Sequence, residues 1–395
     1  MEKKKIMILG ASNLQLPAIK KAKEMGIYTI ALDRDPFAVG AKYADEFHQI
    51  STVDTEGIVV RATELGVNGI MTMATDMPVR SVAAVGERLG LNTISVQTSI
   101  DVTDKARMRE RLERFGVPIP KFFSTRSFGE FTEAVNLISG DLVVKPADSS
   151  GSRGVYFLRE RSNLQHLYDY CRQYSGSGEV IVEEYMSGPE VSVETITIKG
   201  TTHFVAITDK ETSGPPHFVE VGHSMRSTLP NKMQDEICSV VDKALVALGV
   251  DNSPAHSEVI VTRDGPKIVE VGARMGGDYI ASHLVPLATG VDMVEACIKL
   301  ALGIRPSLTP TQSKGAAIRF ITGVPGKVKR IEGIDTVCRQ TGVKEVFLAI
   351  KEGDVVGKVR NSRDRLGHVI FQGETATVAK VACANAVRRI KIEVG

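Results

Sequence analysis

A lysine and a run of small residues follow an apolar stretch in the first half of the sequence. Lys145 comes directly after Leu-Val-Val, and residues 146–154 are rich in Gly and Ser. Small residues let successive backbone N–H groups converge on phosphate oxygens, and a lysine ammonium adds a positive charge. The GK[ST] sequence of a Walker A loop is missing, and the next stretch, 155–158, has the pattern of a strand. The segment therefore indicates a phosphate-binding hairpin, with an ordinary Gly-rich turn as the alternative.

Two carboxylates are predicted to face each other on neighbouring strands. Glu258 and Glu270 lie in apolar stretches on either side of an Asp-Gly dipeptide at 264–265, which is typical of a hairpin turn. Centring the hairpin there places the two glutamates nearly opposite each other. Because opposed carboxylates repel, they need a compensating cation, and Mg²⁺ held by carboxylates and phosphates is the natural candidate. The alternative is that one glutamate points to solvent and pairs with Lys267 or Arg263.

The first βα turn resembles a dinucleotide fingerprint but has the wrong glycine pattern. Gly10 follows a predicted strand, and Asp33 ends the next one. A GxGxxG pattern would need glycines where the sequence has Ser12 and Gln15, and without them the backbone cannot approach a pyrophosphate closely. We interpret this segment as a Rossmann-like supporting unit, with NAD(P) binding in an oxidoreductase as the alternative.

The hydrophobic pattern indicates how these residues are positioned. Strand-like and helical stretches alternate over residues 1–100, which is typical of a parallel sheet covered on both faces. Strand-like runs dominate from 190 to 275, interrupted by an amphipathic helix over 233–248. The residues from 315 onward have the pattern of a small strand-rich unit closed by a helix over 376–389. Ligands of parallel α/β sheets gather at the carboxyl ends of the strands.

Composition excludes several classes of protein. A length of 395 residues suggests two or three domains. The 49 basic and 47 acidic residues give a net charge of +2, so we expect no nucleic-acid or membrane partner. Five widely spaced cysteines without a CxxC pair fit reduced, mostly buried thiols rather than zinc ligands. Since the sequence also lacks a signal-peptide pattern and a run of 18 apolar residues, we expect a cytoplasmic protein.

The order of the candidate residues resembles the signature of the ATP-grasp superfamily. Lys105, Lys145 with its glycine loop, the acidic segment 183–190, and the carboxylate pair followed by Arg274 occur in that order. The resemblance covers roughly residues 1–310 and extends to L-amino acid ligases and phosphoribosylglycinamide synthetase-like proteins. It implies an α/β and α+β multidomain fold, in which a Rossmann-like pre-ATP-grasp domain precedes an ATP-grasp fold and a small C-terminal strand-rich unit.

The same resemblance implies domain bounds. We expect the pre-ATP-grasp domain over residues 1–100 and the ATP-grasp domain over 101–310, with a lid at about 118–185. The C-terminal subdomain, 311–395, would complete the ATP-grasp module.

The resemblance also implies a role for each matching residue. Lys145 and Arg274 would be catalytic, and Glu258 and Glu270 would hold Mg²⁺ or Mn²⁺. The glycine loop would close over the phosphates, the hinge from Glu183 would read adenine, and Glu190 would bind the ribose hydroxyls. The ATP-binding residues would be Lys105, Lys145, Ser150, Gly151, Ser152, Gly154, Glu183, Glu184, Tyr185, Met186 and Glu190. The substrate-binding residues would be His223, His256, Arg274, Gly276 and Gly277.

One position departs from the superfamily pattern. The usual third metal ligand is an Asn two residues after the second glutamate, and this sequence has Gly272 there. Either two carboxylates, phosphates and water hold the metal, or the number of metal ions differs.

The implied function is ATP-dependent ligation of a small-molecule carboxylate to an amine through an acyl phosphate, with release of ADP and phosphate. Two alternatives stay open: a purine-pathway ligase like phosphoribosylglycinamide synthetase, with Arg226, Arg319 and Arg363 as candidates for an anion pocket, and a non-catalytic ATP-binding regulator. Relatives suggest a homodimer. The spacing of motifs does not specify the acyl and amine substrates.

Overall fold

The computed structural model describes residues 3–149, 151 and 153–395, which begin with a parallel four-stranded sheet. Its strands are β1 (Lys5–Leu9), β2 (Tyr28–Asp33), β3 (Glu46–Gln49) and β4 (Gly69–Thr72), in the order β3-β2-β1-β4. Helices α1 (Leu16–Glu24), α2 (Thr55–Leu65) and α3 (Val79–Leu89) flank the sheet. Strands β1, β2 and β4 are mostly apolar and buried because both faces of the sheet are covered there, whereas the edge strand β3 is mostly polar and partly exposed.

Two consecutive helices follow, α4 (Val96–Thr103) and α5 (Lys105–Arg114). The carboxylate of Asp104 accepts hydrogen bonds from the backbone N–H groups of Ala106 and Arg107, so it caps α5. Residues 101–103 form the last turn of α4. The expected domain start at residue 101 therefore falls inside a helix.

A second, antiparallel sheet has its own hydrophobic core. It contains β5 (Phe122–Thr125), β6 (Leu142–Pro146), β7 (Tyr156–Leu158) and β8 (Val180–Glu184), in the order β5-β8-β6-β7. Helices α6 (Phe128–Leu137) and α7 (Leu164–Arg172) pack on it through Phe131 and Tyr168, whose ring centroids are 5.3 Å apart. We call residues 122–184 the small-sheet unit.

The third sheet is antiparallel, and its eight strands come from two distant parts of the chain. Its order is β13-β12-β9-β10-β11-β14-β18-β16. The first part supplies β9 (Glu190–Ile198), β10 (Thr201–Thr212), β11 (Glu220–Met225), β12 (Ser253–Thr262) and β13 (Gly265–Gly272). The C-terminal part supplies β14 (Gly315–Ile321), β16 (Val343–Leu348) and β18 (Gly367–Gly373). Pairing of β11 with β14 joins the two parts into one continuous sheet.

The remaining elements cover this large sheet. Helix α8 (Asn231–Leu248) packs against β13, and α9 (Val285–Thr289) and α10 (Met293–Ala301) follow a π-helical turn at 280–284. Helix α11 (Ile334–Cys338) contacts β16, and α12 (Ala376–Arg389) lies against β14 and β18. Strands β15 (Gly326–Glu332), β17 (Val355–Val356) and β19 (Lys391–Val394) form a separate small sheet.

A seam joins the N-terminal sheet to the large sheet. Met73 and Met275 form an isolated parallel β-bridge, and the Ala74 N–H donates to the Met275 carbonyl over 3.1 Å. One buried apolar cluster, which includes Ile6, Ile19 and Met275, spans both sides. The N-terminal sheet is therefore fixed against the part of the chain that follows β13.

The cysteines are not paired with one another, and most of them are buried. All five cysteines are free, and Cys171, Cys297 and Cys383 are buried, as expected for mostly buried thiols. Over residues 3–149, 151 and 153–395, no helix has the length and apolar character needed to cross a membrane.

The side chain of Gln15 packs against the first βα turn, where a dinucleotide would have to approach the backbone. The Gln15 side chain lies against Gly10, where an added Cβ would come within 2.9 Å of its Cδ. Gln15 donates from Nε2 to the Met73 carbonyl over 2.8 Å and accepts from the Ser12 hydroxyl over 2.6 Å. Since Gln15 fills the space beside this turn, the geometry disfavours the NAD(P) alternative.

Candidate active site

Most of the predicted site residues line one cleft of about 690 Å³. Its walls come from the N-terminal sheet, the small-sheet unit and the large sheet. The predicted residues in these walls are Lys105, Lys145, Gly151, Glu183, Glu184, Tyr185, Met186, Glu190, His223, His256, Glu258, Glu270, Arg274 and Gly277. Gly154 packs against Tyr174, and Gly276 packs behind the wall against Glu194 and His256. Ser150 and Ser152 lie outside the described residues.

A buried triad of charges forms the floor of the cleft below the glycine loop. Lys145 Nζ lies 2.7 Å from one carboxylate oxygen of Glu183, and Arg109 Nε lies 2.7 Å from the other. All three residues are at most 5% exposed. Two cations thus share one carboxylate, which leaves a net positive charge beside the cleft, where an anion would be stabilised. The spacing of Lys105 and Arg109, one helical turn apart, was a signal that could have identified Arg109.

The two cations of this triad favour the ionised form of Glu183. Burial alone would raise the pKa of Glu183, but Arg109 and Lys145 more than offset burial and lower the pKa to about 2. Burial lowers the pKa of Lys145, and the Arg109 charge adds to this, whereas Glu183 opposes it.

We expect the Glu183→Gln substitution to cost less stability as the pH falls. A carboxylate whose pKa drops on folding from 4.5 to about 2 contributes stability above pH 4.5 and loses it as the pH falls toward 2. The difference in unfolding free energy between wild type and E183Q, up to roughly 3 kcal/mol from this shift, should therefore shrink over that interval. Urea unfolding at a series of pH values measures it. The control is E295Q, in the partly exposed Glu295–Lys299 pair, for which the difference in unfolding free energy from wild type should stay nearly constant with pH. A constant difference for E183Q would contradict the lowered pKa of Glu183 in the folded protein.

Lys105 and Asp148 hold the start of the glycine loop. Lys105 Nζ donates to the Ser149 carbonyl over 2.8 Å and lies 3.2 Å from a carboxylate oxygen of Glu270. The Asp148 carboxylate accepts hydrogen bonds from the Ser175 hydroxyl and from the backbone N–H groups of residues 176 and 177. The loop is thus tied both to the large sheet and to the small-sheet unit.

The predicted pairing of the two carboxylates is confirmed. Glu258 and Glu270 are direct cross-strand partners of the β12–β13 hairpin. Each is compensated by a lysine: Glu258 lies 2.9 Å from Lys210 Nζ, and Glu270 lies 3.2 Å from Lys105 Nζ. Burial would raise the pKa of Glu258, but Lys210 and His256 hold it well below its ordinary value.

The alternative prediction, that one of the two glutamates pairs with Lys267 or Arg263, is wrong. Lys267 Nζ bonds instead to Glu184 over 2.6 Å, and Arg263 lies beside Asp264 at the exposed turn. Lys210 also lies 2.7 Å from Glu190, the residue expected to contact ribose. No local sequence pattern identified Lys210, because β9 lies between its strand and the strand of Glu258.

The donor set fits one kind of metal site. Within the described residues, no group of three or more His, Cys, Asp or Glu side chains is arranged to hold a metal ion. Two opposed carboxylates at the cleft do suit Mg²⁺, which is commonly bound by one or two carboxylates together with substrate phosphates and water. Glu258 and Glu270 therefore fit a magnesium site that needs phosphate oxygens to complete it.

His256 is held between two carboxylates. Its Nδ1 bonds to the fully buried Glu194, and its Nε2 lies 3.5 Å from Glu258. Burial would lower the pKa of His256, but Glu194 and Glu258 raise it to about 9, so the imidazolium is the stable form near neutral pH. The Gly276 N–H donates to the second oxygen of Glu194 over 3.0 Å. Both ring nitrogens are thus engaged within the protein, in a position that orients Glu258.

Arg274 is held by a residue from the N-terminal sheet. Its Nε and Nη2 donate to the two carboxylate oxygens of Asp76 over 2.9 and 3.1 Å. Asp76 was not among the predicted residues, although it follows β4 in the region where parallel α/β sheets place ligand-binding groups. Burial would raise the pKa of Asp76, but the Arg274 charge lowers it.

The far end of the cleft is closed by the C-terminal part of the chain. Arg365 donates to both oxygens of Asp278 over 2.7 and 2.6 Å and lies 3.6 Å from the ring centroid of Phe320. His223 Nε2 lies 3.3 Å from Asp278, and its buried Nδ1 has no hydrogen-bond partner among the described residues. Burial would raise the pKa of Asp278, but Arg365 and His223 hold it far below its ordinary value. The resemblance stops near residue 310 and so offered no reason to choose Arg365.

Aromatic rings lie at the end of the cleft formed by the predicted hinge, residues 183–186. Tyr185 packs edge-on against Phe157 with 4.9 Å between ring centroids, and Phe218 lies 6.1 Å from both rings. This surface is suited to a flat heterocycle.

The three arginines considered for a second anion pocket are dispersed. Arg226 bonds to the Ser313 hydroxyl, and Arg319 lies 2.8 Å from Glu211. Of the three, Arg363 is the one that lines the cleft.

Comparison with known proteins agrees with this geometry. Residues 138–282 match the family described as ATP-grasp domain, and residues 319–395 match L-amino acid ligase C-terminal domain 2. An uncharacterized protein of Sinorhizobium fredii is 28% identical over 99% of this chain and 83% of its own length. The L-arginine-specific L-amino acid ligase of Bacillus subtilis is 24% identical over 70% of this chain and 68% of its own length.

Two solved structures share the fold over the full length of both chains. The L-amino acid ligase of Bacillus licheniformis superposes with a TM-score of 0.85 at 22% identity. The phosphoribosylglycinamide synthetase of Anaerococcus prevotii superposes with a TM-score of 0.81 at 23% identity. At these identities the likeness establishes the fold, a mixed α/β fold of the ATP-grasp type.

Proposed function

Because this chain belongs to the ATP-grasp carboxylate–amine ligases, with the second C-terminal domain of the L-amino acid ligases, we propose that it joins a small carboxylic acid to an amine at the expense of ATP. The product is an amide or a peptide. The observation that carries the proposal is the convergence of Lys105, Lys145, the Glu258–Glu270 pair and Arg274 on one cleft.

The first step transfers the γ-phosphoryl group. A carboxylate oxygen of the acid attacks the γ-phosphorus of ATP, the bond to the β–γ bridging oxygen breaks, and ADP and an acyl phosphate form. Lys105 and Lys145 stabilise the negative charge of the phosphates, and the loop around Gly151 covers them. Glu258 and Glu270 would hold Mg²⁺, which supplies further positive charge at the phosphates when it is bound.

The second step forms the amide bond. The amine nitrogen attacks the acyl carbon, the C–O bond to phosphate breaks, and phosphate leaves as the nitrogen loses a proton. Arg274 faces the acyl phosphate and neutralises its charge. The small-sheet unit acts as a lid that excludes water, since water would hydrolyse the intermediate. Glu183 to Met186, with the rings around Tyr185, bind the adenine.

We also propose a cellular location, a substrate class and an assembly state. The free, largely buried thiols support a reducing, cytoplasmic location. The concave cleft suits small-molecule substrates. We also propose a homodimer, which the resemblance to related ligases suggests.

The test is an assay of phosphate and ADP release with ATP, MgCl₂ and pairs of amino acids or other small acids and amines. We expect phosphate release that requires both an acid and an amine, with the amide detected by mass spectrometry. Release that instead requires a ribose phosphate amine would favour a purine-type ligase. Tight ATP binding without turnover on any pair would indicate a regulator and contradict the proposal.

A further inference from the structure

Gly272 occupies the position where the superfamily pattern has an asparagine, and its backbone does not demand glycine. Its φ angle lies outside the left-handed range that favours glycine. A Cβ at this position would, however, come within 2.8 Å of Asp76 Oδ1 and 3.1 Å of Arg274 Cζ. Space, rather than conformation, therefore favours glycine here, because a side chain at 272 would have to displace the ends of the Asp76 and Arg274 side chains.

The atoms that fill this space form one ion pair. Asp76 and Arg274 bond through two parallel N–H···O contacts, and their side chains are only 14% and 11% exposed. Such a bidentate geometry fixes the plane of the guanidinium as well as its position. The carboxylate of Asp76 thus lies where the side chain of a residue at 272 would begin.

The two partners are 198 residues apart, yet the seam between the N-terminal sheet and the large sheet fixes their separation. Ala74, two residues before Asp76, donates its N–H to the carbonyl of Met275, next to Arg274. Met73 and Met275 are bridged and buried, and Gln15 donates to the Met73 carbonyl. The seam makes the ion pair a rigid contact.

We propose that Asp76 is the positioning residue for Arg274, and that glycine at 272 is what makes room for it. The N-terminal sheet then takes part in the chemistry through Arg274, because Asp76 aims the guanidinium at the cleft. The consequence for catalysis rests on the proposed function, whereas the shared space at 272 does not.

A double-mutant cycle tests the shared space without any assay of activity. We expect G272A alone to lower the melting temperature by several degrees, because its Cβ collides with Asp76. In a D76A background the same substitution should cost clearly less, because the carboxylate is gone. G357A is the matched control, since a Cβ there meets nothing within 4 Å. Additive effects of D76A and G272A would overturn the proposal.

Two measurements test the positioning of Arg274. A crystal structure of D76A should show the Arg274 side chain displaced; an unchanged side chain would overturn the proposal, whether or not the protein is a ligase. Kinetically, D76A should lower kcat about 100-fold while the KM for ATP stays nearly constant, because misplacement of a catalytic group affects the reacting centre. D76N, which keeps an oxygen to accept one hydrogen bond, should recover part of kcat. If D76A lowers only the melting temperature and leaves kcat unchanged, Asp76 is merely structural and the proposal fails.

Discussion

Replacement of Lys145 by alanine is expected to lower ATP-dependent phosphate release by a factor of ~10²–10³, the usual cost of removing one preorganised group that stabilises transition-state charge. Lys145 is buried beside the cleft, and its partner Glu183 is also bonded by Arg109. When Lys145 is removed, Glu183 keeps one cation and stays satisfied, so the fold should persist. What is lost is the excess positive charge that the triad offers to the phosphates.

The measurement is kcat and KM for ATP by coupled ADP release, with the melting temperature as the check on folding. K299A is the matched control, because Lys299 forms only a partly exposed pair with Glu295 on α10. It should change neither quantity. If K145A kept wild-type turnover at saturating ATP, Lys145 would have no part in phosphoryl transfer, and the cleft would have been assigned wrongly.

Replacement of Glu270 by glutamine is expected to lower turnover by a similar factor, ~10²–10³, and to raise the Mg²⁺ concentration needed for half-maximal activity. Glutamine has the same shape and keeps an oxygen for Lys105, which lies 3.2 Å from the carboxylate. The substitution therefore removes one negative charge from the predicted metal site with little change in packing. E258Q, on the opposing strand, should behave alike.

The Mg²⁺ titration separates a ligand from a structural carboxylate. E295Q removes a carboxylate from a partly exposed ion pair and should leave the Mg²⁺ curve of the wild type unchanged. A wild-type Mg²⁺ curve for E270Q, with only a uniform loss of stability, would show that Glu270 serves the fold through Lys105 and does not bind the ion.

The residues that local sequence patterns could identify are those whose partners are near in the chain, whereas Lys105 and Arg274 were identified through the family resemblance. The Asp-Gly turn sets the register of its own hairpin, so the pairing of Glu258 with Glu270 was predictable. The glycine loop after Lys145 was visible for the same reason, since loop and lysine are contiguous.

The residues that sequence missed are positioned by contacts across the fold. Asp76 lies 198 residues from Arg274, Arg365 lies 87 residues from Asp278, and Lys210 reaches Glu258 only because β9 lies between their strands. None of these distances follows from local patterns: the contact of Asp76 with Arg274 depends on how two sheets pack, and that of Lys210 with Glu258 depends on the strand order within one sheet. A lysine flanked by polar residues in a long strand looks like any solvated lysine.

The continuous large sheet has a consequence for how the cleft can open. Since β11 pairs directly with β14, the end closed by Arg365 and Asp278 cannot swing away without breaking a ladder of backbone hydrogen bonds. The small-sheet unit shares no strand with that sheet and has its own core. We therefore expect the cleft to open on one side: nucleotide exchange would require movement of the small-sheet unit, while the opposite end would keep its shape and determine which substrates fit.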